Sequence, residues 1–438
     1  MLNVLTSPTD PCDLERFWRL ESLGISENEE NKSTSTYQED YLRDSISYSN
    51  GRYSAKLPWK DDHETLPTNY DITRKRTENV IKRLRQDPQI LQKYGDIIKD
   101  QETKGFIEKV DETIVPQHQI HYIPHHGVKK DSVTTPIRIV NDCSCRPSHG
   151  QPSLNDCLKS TPPELNDITH ILMRFRLHKY AVSSDIEKAF LQIQLAEEDR
   201  DVTRFLWLSD LNDPDSTLIT YRFKAVLFGA TCSPFILNST LLKHLESHCD
   251  VWVSNILKRD LYVDNILSSF EDENQTLAYF QDARVLLSSA NFNLRSWNSN
   301  SQRLRNLAAT NDVLDTDNIT KILGMRWNAE TDMLMFQTTH IPIRAITTKR
   351  ELLRQTSRLY DPLGLLSPVT VRAKIMLQHI WQEKFDWDTQ LPADIQHRWE
   401  NLVNNLNTIS TTKYRRCYFE IPAAGENPRK EQTLYPSP

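Results

Sequence analysis

Residues 180–193 read YAVSSDIEKAFLQI and residues 261–270 read LYVDNILSSF. Each sets an aspartate at the end of an apolar run. Ala181–Ile186 reads as a strand ended by Asp185, and Leu257–Leu267 alternates about a tight centre, as a β-hairpin with Asp264 and Asn265 at its tip. Carboxylates at the ends of adjacent strands can converge on hard divalent cations, because Mg²⁺ takes oxygen ligands and leaves positions for water and phosphates. Two such ions ~3.5–4 Å apart can activate a hydroxyl and stabilise a leaving phosphate oxygen. Two aspartates far apart in sequence do not distinguish a metal site from the much commoner surface carboxylates, so the flanking sequence decides.

Outward from this pair, strands and helices alternate without the regular order of a parallel sheet. Thr73–Gly105 reads as helix interrupted at Pro88. QIHYIPHH and TPIRIVND are strand-like and joined through Lys129–Ser132, as in a hairpin. Leu165–Leu177 reads as helix, FLWL and LITYRFKAV as strands, and FGATCSPFILNSTLLKHLESH as a turn with an amphipathic helix. Thr276–Ala290 reads as helix, KILGMRWN and MLMFQT as a strand pair, and the chain is then mainly helical to about residue 406. The class is α+β. Residues 1–60 are polar, with one apolar element at Leu14–Leu23, and read as largely extended or disordered.

The 438 residues, 38% of them apolar, suffice for several lobes, and no run approaches the ~20 apolar residues of a membrane helix. The N-terminus has neither the basic region nor the apolar core of a signal peptide. Seven scattered cysteines argue for a reducing compartment, hence an intracellular protein, cytoplasmic or nuclear. A net charge of −6 neither implies nor excludes a nucleic-acid partner, but basic residues cluster at Arg74–Arg85 and His340–Lys374. Each cluster reads either as a solvated helix face or as a contact for a duplex backbone.

Taken together, SSDIEKAFLQI, FGATCSPFILN, YVDNIL, FNLRSWNSN and LGMRWN resemble, in order and spacing, the motifs of retroelement reverse transcriptases, and the BEL/Pao class of LTR retrotransposons in particular. IPHHGV, TPIRIVNDCSCRPSHGQPSLND and RLYDPLGLLSPVTVRAKIMLQHIW extend the resemblance over residues of about 12 to 420. The resemblance implies a right-hand polymerase: fingers and N-terminal helices at 61–178, palm at 179–338, helical thumb or connection at 339–420 and an unstructured tail at 421–438. The implied reaction is attack of a primer 3′-hydroxyl on a deoxynucleoside triphosphate, templated by RNA or DNA, with two Mg²⁺ ions or Mn²⁺ in their place. It implies no membrane partner.

Residue by residue, Asp185 and Asp264 match the metal-binding aspartates. Phe190 matches the bulky residue that excludes a ribose 2′-hydroxyl, and Arg138 the arginine that holds the triphosphate. Lys129 or Lys130 matches a companion lysine. Gly229 with Ser233-Pro234 matches the loop packing against nucleotide and template, and 323–328 the hairpin gripping the primer end. Two positions depart from the family pattern. Asn265 stands where a second aspartate is usual, with loss of one negative charge. Ser296 stands where a lysine, a candidate proton donor to pyrophosphate, is usual. Arg295 is a poor substitute, since guanidinium keeps its proton. Asp260, read as strand, lies about 13 Å from the tip, and Glu187 helps only if the backbone turns sharply. The departures set a catalytically weak nucleic-acid-binding module beside an active polymerase. A third reading, an aspartic-type peptidase, rests on the Pao peptidase name of the C-terminal segment and lacks an Asp-Thr-Gly or Asp-Ser-Gly motif. An RNase H domain is implied after that segment. His118, His121, His125 and His126 match no common zinc spacing, and Cys143/Cys145 read as structural.

Overall fold

Asp87 and Pro88 divide the first helical stretch into α1 (Tyr70–Leu84) and α2 (Pro88–Thr103). The Asp87 side chain accepts from the Ile90 amide, and Pro88 occupies the first turn, where no amide donor is needed. Thr73, Thr77, Val80 and Ile81 of α1 and Leu91, Tyr94, Gly95 and Ile98 of α2 face inward at helical spacing. This is a computed structural model describing residues 29–115, 118–129, 137–213, 215–336, 340–343, 346–358, 360–409 and 411–419. The expected element at Leu14–Leu23, Lys130 and the expected tail at 421–438 lie outside these residues. The chain divides into two units, residues 1–47 and 48–438. In the first, Glu29–Asp44 is helical where the polar sequence predicts extended chain.

In the second unit β1 (Ile107–Lys109) is followed by the antiparallel pair β2 (His125–Lys129) and β3 (Ile137–Asn141). The helix α3 (Ile168–Phe175), capped by Asp167, leads into β4 (Tyr180–Ile186), buried over most of its length. Strands β5 (Arg204–Leu208) and β6 (Leu218–Phe223) pair antiparallel, and β1 adds to the far edge of β6. The helix α4 (Ser233–Glu246) is not amphipathic as expected. Ten of its residues from Ser233 to Leu245 are buried, so it runs through the interior.

The expected hairpin over Leu257–Leu267 is only partly present. Trp252–Asp260 is helix α5, and the strands are β7 (Leu261–Tyr262) and β8 (Asn265–Phe270). Asp260 is thus the buried end of a helix, not a strand residue. Its carboxylate accepts from Arg174 Nε (3.0 Å), Arg259 Nε (2.8 Å) and Ser268 Oγ (2.9 Å), which commits it to packing. After α6 (Glu273–Ser288), β9 (Leu294–Ser299) completes an antiparallel sheet in the order β7-β8-β4-β9.

A second sheet runs β10 (Ile319–Ile322), β11 (Met325–Asn328), β12 (Met333–Phe336) and β13 (Lys413–Arg415). Its last strand comes from beyond residue 338, across the division between palm and thumb expected from the sequence. Ile171, Phe175, Leu267, Trp327, Phe336 and Leu366 form one core joining both sheets through α3. Arg416, fully buried after β13, is bidentate on Asp332 (2.7 and 2.9 Å) and donates to the carbonyls of Phe175, His178 and Lys179. The helices α7 (Lys349–Thr356), α8 (Ser367–Gln382) and α9 (Ala393–Ile409) share a separate core around Leu352, Ile380 and Trp399. Buried Lys349 places Nζ 3.2 Å from the centroid of Trp381.

Both basic clusters are partly spent inside the protein. Arg76 pairs with Asp142, Arg85 with Asp215, Arg350 with Asp388 and Arg354 with Glu351. Lys75, Lys82 and Arg83 on α1 are exposed without an acidic partner among the described residues. Arg344 lies outside the described residues.

Candidate active site

Strand β7 and strand β8 are joined by the turn Val263-Asp264, which holds Val263 at φ +58°. A β-branched side chain is disfavoured in that left-handed region, by roughly 1–2 kcal/mol. The turn is held where β8 meets β4. Asn265 pairs with Asp185 in register, and the Ile186 amide donates to the Asp264 carbonyl (2.9 Å). Asp185 and Asp264 therefore meet at one end of the sheet, brought together by strand register alone.

Burial pushes both carboxyls above the ordinary carboxylate range. For Asp264 the charge of Asp185 adds to this, while its own amide and Arg138 oppose it. For Asp185 the Ser296 hydroxyl and Arg295 oppose it. Asp185 Oδ1 is buried without a hydrogen-bond partner. Asn265 Nδ2 donates to Asp264 Oδ1 (2.8 Å), so the amide does more than remove a charge: it occupies one oxygen of the neighbouring carboxylate.

Ser296 sits in a bulge of β9 at φ +51°, where pairing with β4 shifts between Arg295 and Asn298. The bulge turns its hydroxyl toward Asp185. Glu187 is engaged elsewhere: it accepts from Asn293 Nδ2 (2.9 Å) and Arg295 (3.0 Å). Burial would raise its carboxyl, but Asn293 and Arg295 hold it below the usual range.

Arg138 reaches the same end of the sheet from β3. Its guanidinium carbon is 5.0 Å from the Phe228 ring centroid, and Phe228 meets Phe190 edge-to-face at 4.6 Å. Phe190 is buried under this stack. Gly229 follows at φ +109°, and a Cβ there would lie 2.4 Å from the Asn141 carbonyl oxygen, so only glycine fits. Asn155 fixes this loop, donating to the Gly229 carbonyl (3.1 Å) and accepting from the Thr231 amide (2.9 Å). Phe228, Asn155 and Tyr262 stand inside the stretches FGATCSPFILN, GQPSLND and YVDNIL, but the sequence reading assigns none of them a role. The aromatic next to Gly229 was the available signal for Phe228, whereas Asn155 carries none.

The structure thus gathers Asp185, Asp264, Asn265 and Arg138, with Phe190 and Gly229 one layer behind. Lys130 lies outside the described residues. Of the four histidines near residue 120, His121 and His125 belong to packing, and His118 is exposed. His125 uses Nε2 on the Leu206 carbonyl (2.9 Å) and Nδ1 on the Tyr94 hydroxyl, and His121 bonds the Pro67 carbonyl. The donor set suits a hard cation: two carboxylates short of positive charge, one with an unpartnered oxygen. No group of three or more His, Cys, Asp or Glu residues placed to hold a metal occurs among the described residues.

Residues 103–298 match the reverse transcriptase (RNA-dependent DNA polymerase) family. Residues 348–428 match the Pao retrotransposon-like RNaseH-like domain. The two matches, in this order on one chain, are consistent with a Pao-type retrotransposon polyprotein. No curated protein sequence matches the chain. The Pao match lies at the C-terminal end, as the sequence reading has it, and runs past residue 420 to 428; its family is described as RNaseH-like, which removes the basis of the peptidase reading. The RNaseH-like match begins at residue 348, within the segment, where the sequence reading places thumb or connection. Among its described residues that segment is three helices and the strand β13. No helix of the described residues is long and apolar enough to cross a membrane.

Proposed function

We propose that this chain carries out templated nucleotidyl transfer, extending a primer on RNA or DNA with deoxynucleoside triphosphates, in a right-hand fold. The fingers are 61–178, the palm 179–338 and the thumb or connection 339–420. The observation that carries the reading is the meeting of Asp185 and Asp264 at adjacent strand ends, with a buried oxygen lacking any partner. These two carboxylates would hold Mg²⁺ or Mn²⁺. When bound, such ions supply charge neutralisation at the transferring phosphoryl group. The protein's own part is positioning and fixed charge. The planar fork of Arg138 binds triphosphate oxygens, steadied by its contact with Phe228. Phe190 buttresses Phe228 and closes the space a ribose 2′-hydroxyl would need. Gly229 lets backbone come close to the nucleotide, since no Cβ intervenes. An intracellular setting, cytoplasmic or nuclear, accords with free, buried thiols at Cys143, Cys145, Cys157, Cys232 and Cys417.

Single-nucleotide primer extension with Mg²⁺ tests this. Asp185→Asn and Asp264→Asn should each lower the rate by about 10²–10³ or more at equal fold content, and variants that extend like the parent would refute the site. A second reading, a polymerase fold that binds primer–template but catalyses weakly, is favoured by the Asn265–Asp264 hydrogen bond.

A further inference from the structure

The motif RLYDPLG, in the Pao segment, has no role in the site described so far, yet it docks on the polymerase core. The Asp361 carboxylate accepts from the amides of Leu365 and Leu366, and Thr169 Oγ1 donates to the Pro362 carbonyl (3.2 Å). Leu366 belongs to the core shared with Met325 and Trp327, and Leu363 and Leu365 pack against it. Tyr360 is thereby fixed on the turn between β10 and β11. Gly324 there has φ +91°, and a Cβ on it would lie 2.2 Å from Tyr360 Cε1 and 2.3 Å from Cδ1, so the ring occupies the space that glycine leaves. Tyr262, the residue before the Val263-Asp264 turn, packs against the same core and lies close enough to Tyr360 to act on its hydroxyl. Burial, then Tyr262, pushes that hydroxyl above its ordinary range.

A tyrosine recruited only to fill the core would be buried. Tyr360 is 52% exposed, so a planar surface remains open to solvent beside the hairpin bearing Asp264. Aromatic faces bind nucleobases by stacking, with little regard for sequence. A ring already fixed by packing loses little freedom on binding. We propose that Tyr360 is a primer-stacking residue, which with Tyr262 forms the platform for the terminal base of the primer. This rests on the nucleotidyl-transfer reading, and makes a residue of the Pao segment part of the polymerase site.

The test uses the full chain and a primer–template duplex with 2-aminopurine at the primer 3′ end, whose fluorescence falls on stacking. Binding to the parent and to Tyr360→Phe should quench it. Tyr360→Leu, which still covers Gly324 but offers no planar face, should lose most of the quench and weaken duplex binding roughly tenfold, at unchanged circular dichroism. In extension assays the same variant should raise KM for primer–template and leave KM for the nucleotide alone. If the parent binds the duplex and Tyr360→Leu quenches as it does, the stacking role is refuted while the polymerase reading stands. If the parent binds no primer–template, both fall together.

Discussion

Asn265 acts on Asp264 through a hydrogen bond as well as through missing charge. Asn265→Asp should raise Mg²⁺-dependent single-nucleotide extension by about 10²–10³, the scale of comparable preorganised electrostatic stabilisation. It also sets one carboxylate against another, so thermal unfolding without Mg²⁺ should come at lower temperature than in the parent, with the deficit recovered on adding Mg²⁺. Equal extension by parent and variant would mean that the hairpin works as it stands. Adding Ser296→Lys should increase the rate further, if pyrophosphate departure is slowed by a missing proton donor. At His125, burial lowers the imidazole from 6.5 to about 4. The unfolded chain takes up this proton first, so the stabilisation is complete above about 6.5 and is lost as pH falls toward about 4. Denaturant titrations across that window should show falling stability, by on the order of 3 kcal/mol from this residue. His125→Gln should flatten the dependence.

The hairpin that carries Asp264 is shorter than its sequence pattern, because the preceding residues are helix α5. NILKRD alternates in a way that fits a strand over a short window, yet Val253, Ser254 and Leu257 face inward at helical spacing. Asp260, four residues before Asp264, is therefore part of the framework. Asp260→Asn should cost about 3–5 kcal/mol in chemical denaturation by leaving Arg174 and Arg259 short of their counter-charge, while folded protein keeps its extension rate. A rate loss of the size seen for Asp264→Asn would make Asp260 a functional group instead. Strand β4, the Asp264 tip and the break at Pro88 were legible because each rests on local pattern: apolar runs, turn residues, a capped proline. The bulge at Ser296 was not, since no glycine marks it, and neither was β13, three residues in a polar stretch. Both are imposed by partners distant in the chain.

Across the whole molecule, the charge left for a nucleic acid is smaller than the basic clusters suggest. Lys75, Lys82 and Arg83 face solvent, whereas Arg350 and Arg354 are neutralised by Asp388 and Glu351. Replacing the first three with alanine should flatten the salt dependence of duplex binding by about 0.9 in log–log slope for each phosphate left unneutralised. Replacing Arg350 and Arg354 should leave the slope nearly unchanged. A filter-binding series over salt concentrations separates these outcomes. The two matched regions are also tied by Arg416, which sits after β13 and holds Asp332 and three carbonyls around the start of β4. That knot bears on ancestry. Mobile elements trade modules by recombination, and a crossover between residues 336 and 413 would give a hybrid whose own sequences are intact. The hybrid would nonetheless leave Asp332 without its guanidinium partner, held only by Trp327 and Asn300, and the Phe175 and His178 carbonyls without the arginine that binds them, unless the incoming segment brought an arginine in the same register. Lineages that carry the two matched regions together are therefore expected to inherit them as one heritable block.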